Sequence, residues 1–163
     1  TLNNMMRSWI MTLSGEAPVQ VIWQTGRFYE QEMKQFLAQY PTTHIWQNAF
    51  IDRMDYAYKA ADVVISRSGA CTVSELCLAG KPTLFVPSPN VAEDHQTKNA
   101  KALVDKKAAL MVADSEAVDC AMSTVLRLVG DEGMLTMLSK NISKLAIADS
   151  ADRVAAEVLK CCK

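Results

Sequence analysis

A chain of 163 residues, half of them hydrophobic and 21% charged, is long enough to build one well-buried core. Its net charge of −1, with no basic block and no lysine or arginine interleaved with aromatics, argues against a nucleic-acid partner. No apolar run approaches the roughly 20 residues that span a bilayer. The two histidines and five cysteines form no CxxC or HxxxH set, which argues against a structural metal and for reduced cysteines serving as small hydrophobes.

In chain order, Leu2, Met5, Met6, Trp9, Ile10 and Leu13 recur at helical spacing until Gly15 and Pro18 stop the helix. A strand is expected over residues 19–23, running into the Thr25-Gly26 turn, and a helix over 28–40, ended by Pro41. Strand 44–50, a short helix 52–60, strand 63–65 and helix 73–79 follow. Strand 83–86, helix 96–105, strand 109–112 and two or three further helices complete the chain.

Short, apolar, β-branched strands alternating with helices predict a Rossmann-like α/β fold, a parallel sheet with helices on both faces. The chain opens on a helix although each later helix follows a strand. A first strand and its turn are therefore expected upstream of Thr1, with a helix-first fold as the alternative.

In such a sheet ligands bind outside the carboxyl ends of the strands. Four ends carry the residues that a core does not need: Thr25-Gly26, Phe50-Ile51-Asp52, residues 66–72 and residues 87–96. The segment Ser66-Arg67-Ser68-Gly69-Ala70-Cys71-Thr72-Val73-Ser74-Glu75 is the most informative. A small-residue turn from strand into helix offers free backbone N–H groups and a positive dipole end to a phosphate. Glu75 lies one turn further in, where a carboxylate can accept hydroxyl groups.

Each of these residues has a second reading. Thr72-Val73-Ser74-Glu75 matches the S/T-x-x-E capping box, which the pattern alone favours. Ser68 and Gly69 suit a plain turn, and Asp52 followed by Asp55 suits a helix N-cap with an acidic first turn. Arg67 either covers a strand edge or faces an anion, since a guanidinium beside a helix N-terminus is otherwise electrostatically unfavourable. In the long polar loop 87–96, His95 and Gln96 are either ligand contacts or ordinary surface and helix-start residues. With no paired carboxylates, nucleophile elbow or P-loop, the residues describe a binding site and no catalytic one.

Taken in order, the strand ends resemble the C-terminal half of the MurG family. The matching pieces are Phe50-Ile51-Asp52-Arg53-Met54, residues 61–70, Thr72-Val73-Ser74-Glu75, Gly80-Lys81-Pro82, Phe85-Val86-Pro87 and residues 94–100. That family transfers N-acetylglucosamine from its UDP ester to lipid-linked N-acetylmuramoyl-pentapeptide in peptidoglycan synthesis. The resemblance implies that residues 1–163 are a single donor-binding domain, the C-terminal half of a GT-B transferase.

By motif position, it further implies that the Ile51 backbone meets the uracil, with Phe50 and Met54 beside it, and that Glu75 accepts both ribose hydroxyls. Ala70, Cys71 and Thr72, preceded by Arg67, Ser68 and Gly69, would follow the diphosphate, and Gln96 with His95 would contact the sugar. No catalytic residue, cofactor or metal is implied for this chain. The family's glycine-rich loop falls before Thr1, and its acceptor domain lies outside the chain, so the isolated chain is expected to be inactive. The intact protein is expected on the cytoplasmic face of the bacterial inner membrane, with no direct lipid contact from this half. Two alternatives remain open: a related transferase from a UDP-sugar to another lipid, and a UDP-sugar-binding subunit completed by a separate acceptor-domain partner.

Overall fold

In the computed structural model, which describes residues 1–161, α1 (Leu2–Thr12) buries Met5, Met6, Trp9 and Ile10 along one face. Strand β1 (Val21–Gln24) is followed by Gly26, whose φ of 83° turns the chain into a single 3-10 turn at Arg27–Tyr29. Only then does α2 (Glu30–Gln39) begin, so the helix expected from residue 28 is split by that turn. There follow β2 (Ile45–Asn48), α3 (Met54–Ala60), β3 (Val64–Ser66), α4 (Ala70–Ala79) and β4 (Thr83–Phe85). After the loop, α5 (His95–Val104), β5 (Leu110–Met111), α6 (Ala117–Val129), α7 (Glu132–Ser143) and α8 (Ser150–Cys161) complete the order. No helix among the described residues is long and apolar enough to cross a membrane.

The α/β class and the parallel pairing are as expected, but the strands form two sheets. β1 pairs with β2 from Val21 opposite Ile45 to Gln24 opposite Asn48. β4 lies between β3 and β5, with Leu84 opposite both Ile65 and Leu110. Among the described residues β1 and β3 each keep one edge without a strand partner. The sheets are joined through side chains instead, because Trp23 and Ile45 share one buried cluster with Leu84, Val86, Met5, Ile10, Met33 and Ala121.

Phe85 points to the opposite face of β4 and packs with Leu76, Cys77, Ala100, Leu103 and Ile142. Helices therefore cover both faces: α1, α2 and α6 on the Leu84 side, α4, α5 and α7 on the Phe85 side. This two-sided burial explains why β4 reads as an uninterrupted apolar run rather than an alternating one.

Of the cysteines, Cys77 is buried and its thiol is pushed up by that burial, Cys120 is half-buried, and Cys71 and Cys161 are exposed; all four are free. Cys162 lies outside the described residues.

Helix α4 is closed by Gly80 at φ 64°, with the N–H groups of Gly80 and Lys81 returning to the carbonyls of Cys77 and Leu76. That double bond is a Schellman closure, which favours a residue without a Cβ. A Cβ at Gly80 would also stand 2.5 Å from Ser143 Oγ, and the Gly80 carbonyl already accepts from Ser139 Oγ at 2.7 Å. Gly80→Ala should therefore destabilise the fold by about 1–3 kcal/mol, read as a lower urea midpoint at unchanged slope.

Candidate functional site

The carboxyl end of β3 leads through Arg67 and Ser68 to Gly69, which is extended (φ −63°, ψ 150°) and serves as the N-cap of α4. No side chain caps this helix and its first turn carries no acidic residue. The N–H groups of Ala70, Cys71 and Thr72 find no acceptor among the described residues, so the positive end of the dipole is uncompensated. Ala70 and Cys71 are exposed there.

The capping-box reading of residues 72–75 fails on this geometry. The helix starts three residues earlier than large apolar side chains indicate, which places Thr72 and Glu75 inside it. Glu75 instead accepts a hydrogen bond from the Tyr58 hydroxyl of α3, Oη to Oε2, at 3.1 Å. Cys71 and Glu75 are four residues apart and share one helix face, about 6 Å apart along the axis. Asp52 is likewise no cap: α3 begins at Met54 after an Arg53 N-cap that makes no side-chain cap bond. Arg53 grips Asp55 through two hydrogen bonds, at 2.9 and 2.6 Å, and holds its carboxyl below the usual carboxylate range.

Met54, Tyr58, Glu75, Leu78 and Lys81 line one open groove of about 590 Å³ between α3 and α4. A second cleft, of about 440 Å³, is lined by Thr1, Asn3, Gln24, Thr25, Gly26 and Arg67 among others. The amino end of α1 enters this second cleft beside the carboxyl end of β1. Asn3 Nδ2 donates to the Thr25 carbonyl at 3.0 Å, and Trp23 Nε1 donates to Asn3 Oδ1 at 3.1 Å.

Arg67 does not stand unpaired. Its Nη1 donates to the Val86 carbonyl at 2.9 Å and to Asp114 Oδ1, while Thr1 Oγ1 donates to the other Asp114 oxygen at 2.7 Å. Burial alone would raise the Asp114 pKa; the hydrogen bonds from Thr1 and Arg67 and the guanidinium charge outweigh it and hold the carboxyl below the usual range. Asp114 thus fixes Arg67 at the rim of the second cleft.

Ser68 is fully buried and belongs to the framework of the site rather than its surface. Its hydroxyl donates to the Gln96 carbonyl at 2.8 Å and its carbonyl accepts from Asn99 Nδ2 at 3.0 Å. Gln96 Oε1 in turn accepts the N–H of Ser88 at 2.9 Å and that of Ser68 at 3.4 Å. These two donors set the amide orientation and leave its NH2 group without an acceptor among the described residues.

His95 is exposed, and its Nδ1 lies 2.9 Å from the Ala92 carbonyl, which makes Nδ1–H the donor and leaves Nε2 without a partner among the described residues. Just before it, Glu93 and Asp94 hold left-handed φ values of 53° and 51°. Such backbone strain in non-glycine residues clusters at ligand-binding loops.

On the other flank, the N–H of Ile51 donates to Gln24 Oε1 at 2.9 Å, which leaves the Ile51 carbonyl as the available backbone group. Phe50 is exposed with Arg27 over its ring at 5.8 Å. The residues expected at the site are therefore distributed: Met54 and Glu75 in one groove, Arg67 in the other cleft, Ala70, Cys71 and Thr72 at the α4 start, His95 and Gln96 on the adjoining loop. Tyr58, Asp114 and Gln24 were not expected. Their partners lie 17, 47 and 27 residues away, so no local pattern signals them.

A family model for the glycosyltransferase family 28 C-terminal domain matches residues 1–154. A transferase of Parabacteroides distasonis, named UDP-N-acetylglucosamine--N-acetylmuramyl-(pentapeptide) pyrophosphoryl-undecaprenol N-acetylglucosamine transferase, is 56% identical over 87% of this chain and 39% of its own length. The same-named protein of Bacteroides thetaiotaomicron is 48% identical over 98% of the chain and 43% of its own. The chain thus spans well under half the length of these curated relatives.

Among solved structures, Acinetobacter baumannii MurG superposes with a TM-score of 0.80 at 30% identity, covering 98% of this chain and 46% of that one. The calicheamicin glycosyltransferase CalG4, at 17% identity and a TM-score of 0.69 over 99% of this chain and 41% of its own, shares the fold. The chain belongs to the glycosyltransferase family 28 C-terminal domain family, as a MurG-like member.

Proposed function

We propose that this chain is the donor-binding half of an inverting transferase that moves N-acetylglucosamine from UDP-N-acetylglucosamine to lipid-linked N-acetylmuramoyl-pentapeptide. The observation that carries the reading is the uncapped start of α4 with Glu75 on the same helix face one turn on. Together they match the diphosphate and ribose of a nucleotide sugar. The names of the relatives at 56% and 48% identity supply the donor and acceptor.

In this reading Ala70, Cys71 and Thr72 offer backbone N–H groups to the diphosphate, and Arg67, held by Asp114, adds positive charge at the cleft rim. Gly69 carries no side chain to block the approach. The Ile51 carbonyl faces the uracil, flanked by Phe50 and Met54, and the free amide NH2 of Gln96 and Nε2 of His95 face the sugar hydroxyls. The preorganised N–H groups stabilise charge as UDP leaves, a contribution of about 3–4 kcal/mol per donor in comparable oxyanion sites. No catalytic residue, cofactor or metal is assigned to these residues.

The acceptor hydroxyl and the lipid belong to the remainder of the longer protein, which would work as a peripheral protein on the cytoplasmic face of the membrane. A strand of that remainder, pairing between the open edges of β1 and β3, would merge the two sheets into one.

Calorimetric titration with UDP, UDP-N-acetylglucosamine and UDP-glucose tests the reading, with saturable binding of the first two expected. Cys71 locates the site: UDP should slow its alkylation, mapped by mass spectrometry, and leave that of Cys161, which is also exposed, unchanged. Equal alkylation rates with and without saturating UDP would remove the nucleotide from the α4 start.

A further inference from the structure

A carboxylate that recognises two adjacent hydroxyls must hold its plane still. Glu75 is exposed on a helix surface, where a free glutamate samples many rotamers and loses that freedom on binding. Tyr58 removes much of this freedom in advance. Its ring is half-buried against the cluster of Leu76, Cys77 and Phe85, and its hydroxyl reaches Glu75 Oε2 at 3.1 Å.

Met54 and Tyr58 are four residues apart on α3, so both present to the groove that Glu75 lines from α4. Two lysines, Lys59 and Lys81, line the same groove, and neither is ion-paired with Glu75. Lys81 Nζ is held by the Ala61 carbonyl at 2.7 Å and the Lys59 carbonyl at 3.3 Å. Tyr58 is the one hydrogen-bond partner of the Glu75 carboxylate among the described residues.

We propose that Tyr58 is a positioning residue that orients the Glu75 carboxylate toward a vicinal diol, so that Oε1 and the remaining lone pair of Oε2 accept the 2′- and 3′-hydroxyls of a ribose. This rests on the donor-site reading above and extends it to a residue on a different helix. Burial first, then the charge and hydrogen bond of Glu75, push the Tyr58 phenol up to about 12, so the phenol remains a donor wherever Glu75 is an ionised acceptor.

The test compares calorimetric affinities for UDP and 2′,3′-dideoxyuridine diphosphate in the wild type, Tyr58→Phe and Glu75→Ala. Phenylalanine keeps the ring and its packing, and a thermal melt of each variant checks that the fold is intact. In Tyr58→Phe, UDP binding should weaken by about three- to tenfold while dideoxy-UDP binding stays at the wild-type level. A Tyr58 that only packs α3 on α4 would weaken both ligands equally or neither, and either result overturns the proposal. If the wild type does not prefer UDP over the dideoxy ligand, the donor-site reading fails and takes this inference with it. If the preference exists, is lost in Glu75→Ala and survives whole in Tyr58→Phe, the inference alone fails.

Discussion

Glu75→Ala is expected to lower UDP affinity by about a hundredfold while leaving the melting transition nearly unchanged. Two hydroxyl hydrogen bonds to an ionised carboxylate are worth about 1.5–3 kcal/mol each before losses, and a net loss of about 2.7 kcal/mol is two powers of ten. A capping role predicts the opposite pattern, a stability loss of about 1 kcal/mol with binding retained. Because α4 begins at Ala70 and Glu75 makes no bond to the helix start, the capping term is absent, and the stability lost is confined to the exposed hydrogen bond from Tyr58. Glu75→Gln keeps an acceptor and loses the charge, so its affinity should fall between the two. Calorimetry with UDP beside a thermal melt separates these patterns, and wild-type affinity in Glu75→Ala would sink the assignment.

The largest effect on stability is expected at Phe85. It is wholly buried on the β4 face that supports α4 and α5, against Leu76, Cys77, Ala100 and Leu103. Phe85→Ala should cost about 3–5 kcal/mol, the transfer of the ring plus the cavity it leaves. That is a large share of the ~5–15 kcal/mol that holds a domain together. The same helices carry Glu75, His95 and Gln96, so UDP binding should weaken along with the urea midpoint. Leu84→Ala, on the opposite face among Trp23, Ile45 and Met5, should destabilise the α1 and α6 side without touching the supports of α4. A Phe85→Ala midpoint near that of the wild type would mean that this face is not the support of the site.

Strand β4 was legible because Leu84-Phe85-Val86, preceded by the β-branched Thr83, is apolar on both faces, and a strand covered by helices on both sides needs that composition. The start of α4 was not, because Gly69-Ala70-Cys71 carries no large side chain to announce a buried face, and periodicity begins to register only near Val73. The capping-box pattern at residues 72–75 then supplied a false helix start. The 3-10 turn at Arg27–Tyr29 escaped for a similar reason: Phe28 is apolar but 89% exposed, so hydrophobicity placed it in a helix that starts at Glu30.

By itself the sequence determined the strand–helix alternation, the four strand ends at which a ligand can sit, and the order of motifs that resembles MurG. These are local properties, set by side-chain size, periodicity and turn chemistry within a few residues. Only the tertiary structure decided that Glu75 is held by Tyr58 and not by its own helix start, and that Arg67 is tied to Asp114. It likewise decided that Ser68 is buried beneath Gln96 and Asn99, and that the described strands fall into two sheets. Each of these depends on hydrogen bonds or pairing between segments far apart in the chain, and their partners are chosen by how the packed helices bring those segments together.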